Sequence, residues 1–235
     1  MRRSPRSSSN GFTLVEIVIM LAITGLLVGG VLKGQEMIAS ARVRTLISQQ
    51  DAVRVAYLGF MDRYRALPGD YSRASLNIPG VSPGANGNNN GLISANGAAG
   101  ATIDEYIAAW EHLSKSGFID TTFTYSPAPV TTDSAPVNVF GRYLQLTFDN
   151  AYGTGAAAKS HNVKTGNQIP SDMLAEVDRK IDDGIATSGK FQFSAYDGAG
   201  GGNAPAGPGA CYSSSGPALW SVATPAANCG AASLL

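Results

Sequence analysis

The feature that most constrains this chain is a long apolar run close to its beginning. From Phe12 to Leu32, the 21 residues carry one ionisable side chain, Glu16. At about 1.5 Å per residue, a helix of this length spans about 30 Å, the hydrocarbon thickness of a bilayer. A carboxylate in such a run costs on the order of 2.5–3.5 kcal/mol at a helix centre and less near the interface, so it needs a partner.

The residues before the run resemble a known processing signal. Residues 1–10 include three arginines and no acid, and Gly11-Phe12 forms the junction with the apolar run. An ordinary secretory signal is cut on the far side of its apolar core, which has only about 7–15 residues. The stretch Gly11-Phe12-Thr13-Leu14-Val15-Glu16 instead resembles the cleavage motif of type IV prepilins and type II secretion pseudopilins.

This resemblance implies a set of roles and partners. In that family a prepilin peptidase cuts after the glycine and methylates the new terminal amine, so residues 1–11 would be a leader peptide and Phe12 the methylated first residue. Glu16 would meet the terminal amine of a neighbouring subunit, and its spacing from Phe12 predicts that both groups lie on adjacent turns of one helix. The implied partners are other pilin subunits, an inner-membrane platform protein, an assembly ATPase and, before assembly, membrane lipid.

Three other interpretations of the N-terminal segment stay open. A cleavable secretory signal could end at Ala39-Ser40-Ala41, but its apolar core would be unusually long and Lys33–Glu36 would intervene. A plain membrane anchor leaves Glu16 unexplained. A twin-arginine signal would use Arg2-Arg3, but the residues that follow match it poorly.

The apolar run continues into a longer amphipathic helix. Apolar residues recur at three- and four-residue steps from Ala39 to Leu67, with Gln50 as a polar gap. Pro68-Gly69 is a strong stop signal. We therefore predict an N-terminal helix over residues 12–67, transmembrane over about 12–33, followed by a globular domain over 68–235.

The globular domain is predicted to be α+β with an antiparallel sheet, which together with the long helix is the pilin fold. A Thr102-x-x-Glu105 capping pattern predicts one short helix, and Ser171 is a candidate cap for another that stops at Gly184. Alternation predicts strands within 118–125, 143–148 and 190–195, whereas 153–166 is predicted to be a polar loop.

Composition and residue spacing limit the function classes. A net charge of zero with 14% charged residues argues against nucleic acid as the main partner. Neither histidine lies near a cysteine and no Gly-x-Ser-x-Gly is present, so we predict no enzymatic activity and no cofactor. In an exported chain the two cysteines, Cys211 and Cys229, predict one disulfide, with two reduced core thiols as the alternative.

One loop is similar to the start of a calcium site. Asn86, Asn88 and Asn90 occupy alternate positions before Gly91, but the first ligand is not Asp and the twelfth position is Gly97 in place of Glu. These three residues are therefore weak candidate ligands, and a flexible Asn/Gly turn is the simpler interpretation. Further candidate oxygen ligands, equally weak, are Asp182-Asp183 and Asp197.

The sequence thus predicts a structural subunit of a type IV pilus-type filament: a pilin, minor pilin or pilin-like protein. The precursor is expected in the inner membrane as a single-pass protein, and the product in a periplasmic or extracellular filament. Two alternatives stay open: a pseudopilin of a type II secretion system, and a membrane-anchored periplasmic binding module.

Overall fold

A computed structural model describes residues 12–200 and 202–235 of the chain. The chain forms two compact units, one ending at Ala41 and one spanning Arg42–Leu235. Helix α1, Leu14–Tyr64, supplies the described helix of the first unit and continues into the second. It ends three residues before the predicted position because Arg65 adopts a left-handed conformation, with φ of 53°, ahead of Pro68.

Three further helices and one 3₁₀ turn lie among the described residues of the second unit. They are α2 (Ala74–Asn77), the 3₁₀ turn (Pro83–Ala85), α3 (Glu105–Lys115) and α4 (Ser171–Ile181). The capping pattern predicted for α3 was wrong. Asp104 is the N-cap residue and makes no side-chain cap, and the Glu105 carboxylate turns inward to accept the Ser94 N–H at 2.9 Å.

In the part of the chain that the structure describes, four strands form one antiparallel sheet in the order β1-β2-β4-β3. They are β1 (Gln145–Asp149), β2 (Ser160–Lys164), β3 (Phe191–Phe193) and β4 (Ala231–Leu234). The expected α+β class with an antiparallel sheet is therefore confirmed. The prediction missed the two inner strands, β2 and β4, and the strand expected within residues 118–125 does not form.

The second unit has two apolar clusters, and α1 contributes to both. Val43 and Leu46 pack in one cluster with α4, β3 and Trp220. Val53 and Phe60 pack in the other with α3 and β1. Gln50, the polar gap in the helical pattern, therefore lies on α1 between the residues that belong to the two clusters.

Cys211 and Cys229 form the expected disulfide, and both residues are fully buried. Cys229 exchanges two backbone hydrogen bonds with Ile169, and the chain then enters β4 at Ala231. The disulfide thus connects the C-terminal loop to the entrance of an inner strand.

Candidate functional site

The N-terminal part of α1 carries an uncovered apolar surface. Among the described residues, α1 is the one helix long and apolar enough to cross a membrane, and no residue in its most apolar 18-residue window is buried. Leu14 and Leu26 expose 80% and 79% of their surface. A helix that is apolar on all sides requires lipid or other protein segments around it, because water solvates such a surface poorly.

Polar groups in this part of α1 are satisfied within the helix. The Thr24 hydroxyl donates to the Met20 carbonyl at 2.8 Å, as hydroxyls do in apolar surroundings. Lys33 and Glu36 form an ion pair at 2.7 Å where the uncharged run ends. Between Leu14 and Leu32, Glu16 is therefore the one ionisable group that the helix presents.

Glu16 closes a capping box at the start of α1. The Thr13 hydroxyl oxygen accepts the Glu16 N–H at 3.2 Å, and the Glu16 carboxylate accepts the Thr13 N–H and hydroxyl, each at 3.2 Å. Thr13-x-x-Glu16 is the same sequence pattern as Thr102-x-x-Glu105, and here it does form the cap. Glu16 therefore has a local structural role in addition to the assembly role that stays a prediction.

The chain immediately before α1 includes the residue expected to become the N-terminus. Phe12 and Thr13 precede the first helical residue, Leu14, in the unprocessed chain, so the position of a Phe12 amine relative to Glu16 after cleavage stays a prediction. The Glu16 carboxylate folds back to the residue that follows Phe12. Gly11 and the rest of the predicted leader lie outside the described residues.

The Asn/Gly loop, residues 86–91, is fixed by hydrogen bonds that its side-chain oxygens accept. The amide oxygens of Asn86, Asn88 and Asn90 accept the backbone N–H groups of Ser75, Asn90 and Leu92, at 2.9, 3.1 and 2.8 Å. Each of these amide oxygens is therefore already the acceptor of a local backbone hydrogen bond. The observed geometry is that of local turns.

Two buried carboxylates accept hydrogen bonds from the backbone of the same loop. Asp70 accepts the N–H groups of Asn90 and Gly91 at 2.9 and 2.8 Å. Glu105 accepts the N–H of Asn88 at 3.2 Å in addition to that of Ser94. Burial raises the pKa of Glu105, and the nearby Asp70 carboxylate adds to the increase. The loop that the sequence suggested to be flexible is therefore anchored to the core.

Three aspartates, one in the last turns of α4 and two directly after it, form a second group of carboxylates. Ligand atoms of Asp178, Asp182 and Asp183 lie within 4.8 Å of one another, whereas the described geometry does not bring Asp197 into this group. Asp178 accepts the Trp220 indole N–H at 2.6 Å and the Gly184 N–H at 3.1 Å. Asp182 and Asp183 likewise accept hydrogen bonds from residues that follow them, so the three aspartates fix the turn after the end of α4.

His112 is fully buried and links two turns of the loop region. Its Nδ1 accepts the Gly69 N–H at 2.9 Å, which leaves Nε2 to donate to the Ala85 carbonyl at 2.8 Å. Burial lowers the pKa of His112 to about 4, so the imidazole is neutral at physiological pH. The residue therefore has the structural role of a satisfied core histidine.

Comparison with known proteins finds no matching family model, no matching curated protein and no matching solved structure. The class that the structure defines is an α+β protein with a long N-terminal helix, an uncovered apolar segment and a disulfide-linked C-terminal loop.

Proposed function

We propose that this chain is a structural subunit of a type IV pilus-type filament, made as an inner-membrane precursor and assembled through the first part of α1. The observation that carries the proposal is the uncovered apolar part of α1. Its first turn contains the Glu16 carboxylate, which caps the helix, and it follows shortly after Gly11-Phe12 in the sequence. Cleavage by prepilin peptidase, and extraction by a platform protein and an assembly ATPase, belong to the same proposal.

The uncovered apolar surface supports a transfer from lipid to filament. Lipid tails and packed apolar helices are both nonpolar environments, so leucines such as Leu26 lose little free energy in moving from one to the other. A carboxylate behaves differently, because lipid offers it no opposite charge. The methylated amine of a neighbouring Phe12 would supply that charge, and Glu16 would then favour the assembled state.

Variants at the capping box separate the two roles of Glu16. Glu16→Gln keeps an oxygen that can accept the Thr13 N–H but removes the negative charge, whereas Thr13→Ala weakens the cap and keeps the charge. We expect filaments to be absent from Glu16→Gln and Glu16→Ala cells and present in Thr13→Ala cells. Electron microscopy and immunoblots of sheared surface fractions measure this outcome.

The same set of variants can contradict the proposal. All three chains should insert in the membrane, because each change removes a charge or a hydroxyl and makes the segment less polar. Normal filaments from Glu16→Gln would restrict Glu16 to capping and remove its assembly role. Loss of filaments from Thr13→Ala alone would assign assembly to the helix cap and not to the charge.

Processing is tested by mass spectrometry of the exported chain. The proposal requires an N-methylated Phe12 as its first residue. A chain that begins at Met1 would be an uncleaved anchor, and one that begins at Arg42 would have lost a conventional secretory signal after Ala41. Antibody imaging then separates a surface pilus from a short periplasmic pseudopilus and from a dispersed binding module.

A further inference from the structure

A small cavity lies beside α1 in the second unit, near the ends of α4 and β3. Its volume is about 100 Å³, and its wall includes Gln50, Phe191 and Ser233. At about 30 Å³ per water molecule, it has room for roughly three waters or for a molecule of a few non-hydrogen atoms.

The side chain of Gln50 lines this cavity and has unsatisfied hydrogen-bonding groups. The residue is 4% exposed, and neither its amide nitrogen nor its amide oxygen has a hydrogen-bond partner among the described residues. An unpaired buried amide costs about 1–3 kcal/mol, because the group has lost water and gained nothing in return. A bound molecule with one donor and one acceptor would satisfy it.

Charged groups of both signs surround the same cavity. Asp51 and Lys190 are exposed, and within residues 12–200 and 202–235 neither charged group has an ion-pair partner. Arg54 donates to the Leu234 carbonyl, and Asp182 accepts the Lys190 and Phe191 N–H groups. The wall of the cavity thus contains two carboxylates and two basic side chains. This balance favours a ligand that has one positive and one negative group and no net charge.

We propose that this cavity binds a small zwitterionic α-amino acid of the size of glycine or alanine. The ligand carboxylate would face Arg54 and Lys190, the ammonium would face Asp51, and the Gln50 amide would take the remaining hydrogen bonds. The site lies outside the apolar segment of α1, so this proposal does not rest on the proposed filament assembly.

The test is equilibrium dialysis of the full chain in detergent micelles with radiolabelled glycine. We expect saturable binding of one glycine per chain, competition by alanine, and binding at least about tenfold weaker for acetate and methylammonium. Phenylalanine should not compete, because the cavity is too small for its ring. Absence of saturable binding up to about 10 mM glycine would overturn the proposal and leave a hydrated cavity, and equal binding of acetate would identify an anion site instead.

Two variants and a control tie the binding to this cavity. Gln50→Met and Asp51→Asn should each weaken glycine binding at least about tenfold, whereas Asp62→Asn, exposed on the same helix, should bind as the wild type does. Gln50→Met should melt at or above the wild-type temperature, because it removes an unsatisfied buried amide. Because Asp51 is exposed, we expect Asp51→Asn to keep the fold, so a change in its glycine binding reports on the cavity itself. Undiminished binding by both variants would place the glycine elsewhere and overturn the proposal.

Discussion

Several buried ionisable side chains of this protein bind backbone groups of loops. Asp70, Glu105 and His112 are all buried, and each bonds backbone atoms between residues 69 and 94. A buried polar group is tolerated when its hydrogen bonds are complete, and these groups largely meet that condition. Their common effect is to order a segment that has little regular secondary structure.

The stability of the fold should depend on the protonation of His112. Its pKa is about 4 in the folded chain and 6.5 in the reference state, so the unfolded chain binds a proton first as the pH falls. The stabilisation is complete above about pH 6.5 and is lost as the pH falls toward 4. We expect the free energy of unfolding to decrease by about 2 kcal/mol between pH 7 and pH 5, measured by urea denaturation in detergent.

His112→Gln is the control for that pH dependence. Burial also lowers the pKa of His161 and raises those of Glu105 and Asp178, so the wild-type profile contains several contributions. The difference between the wild-type and His112→Gln profiles cancels those shared contributions. Parallel profiles would show that His112 does not titrate in this range.

The ion pair between Lys164 and Asp149 should contribute far more than a surface pair. The Lys164 side chain is 5% exposed on the inner strand β2, and Asp149 on β1 is its ion-pair partner. Asp149→Ala leaves a buried ammonium without its counter-charge, and we expect a loss of about 3 kcal/mol in unfolding free energy. The control is Asp62→Ala, whose pair with Arg65 is 82% exposed on both sides and should be worth less than about 0.5 kcal/mol. Equal losses in the two variants would contradict the buried role of Lys164.

At the scale of elements, the Asn/Gly loop is a packed element and not a flexible connection. A Cβ on Gly87 would lie 2.3 Å from the Gly69 carbonyl oxygen and 2.4 Å from Asp70 backbone atoms. Gly69 itself needs a left-handed conformation, with φ of 86°. The loop therefore lies directly on the turn that follows α1.

A pair of glycine variants tests this packing. Gly87→Ala should destabilise the protein by about 3 kcal/mol, because the clashing atoms are backbone and cannot turn aside. An added Cβ at Gly84 would have no atom within 4 Å apart from those of its chain neighbours, so Gly84→Ala should change stability by less than about 0.5 kcal/mol. Thermal melts of both variants are the measurement, and a tolerant Gly87→Ala would show that the loop can move away from Asp70.

Secondary-structure patterns identified some elements and not others for physical reasons. Helices α1, α3 and α4 and strands β1 and β3 follow strong apolar periodicity and were predicted, with small errors at their ends. Strand β2 reads Ser-His-Asn-Val-Lys and has a single aliphatic residue, so no alternation was visible. It is an inner strand because its backbone pairs with β1 on one side and β4 on the other, and its polar residues Asn162 and Lys164 bond Asp149, which the sequence could not reveal.

At the scale of the whole molecule, membrane attachment should depend on the first part of α1 alone. We expect the chain to resist alkaline extraction from membranes, and Leu21→Lys with Leu27→Lys to release it, since each lysine costs about 3 kcal/mol near a bilayer centre. Leu76→Lys is the matched control, because Leu76 is 82% exposed in the second unit. Release by Leu76→Lys, or retention of the double variant, would contradict a membrane-spanning role for this segment.

The sequence alone predicted the apolar run with its carboxylate and the long helix. The length of an apolar run and its helical periodicity are local properties of the sequence. The disulfide was predicted from the number of cysteines together with the expected export of the chain, and the structure decides between it and two reduced thiols. The hydrogen-bond partners of Glu105 and His112, and the lack of a partner for Gln50, could not be predicted, since burial and partners come from segments distant in sequence. The order of the sheet depended likewise on tertiary packing, which places two weakly patterned strands at its centre.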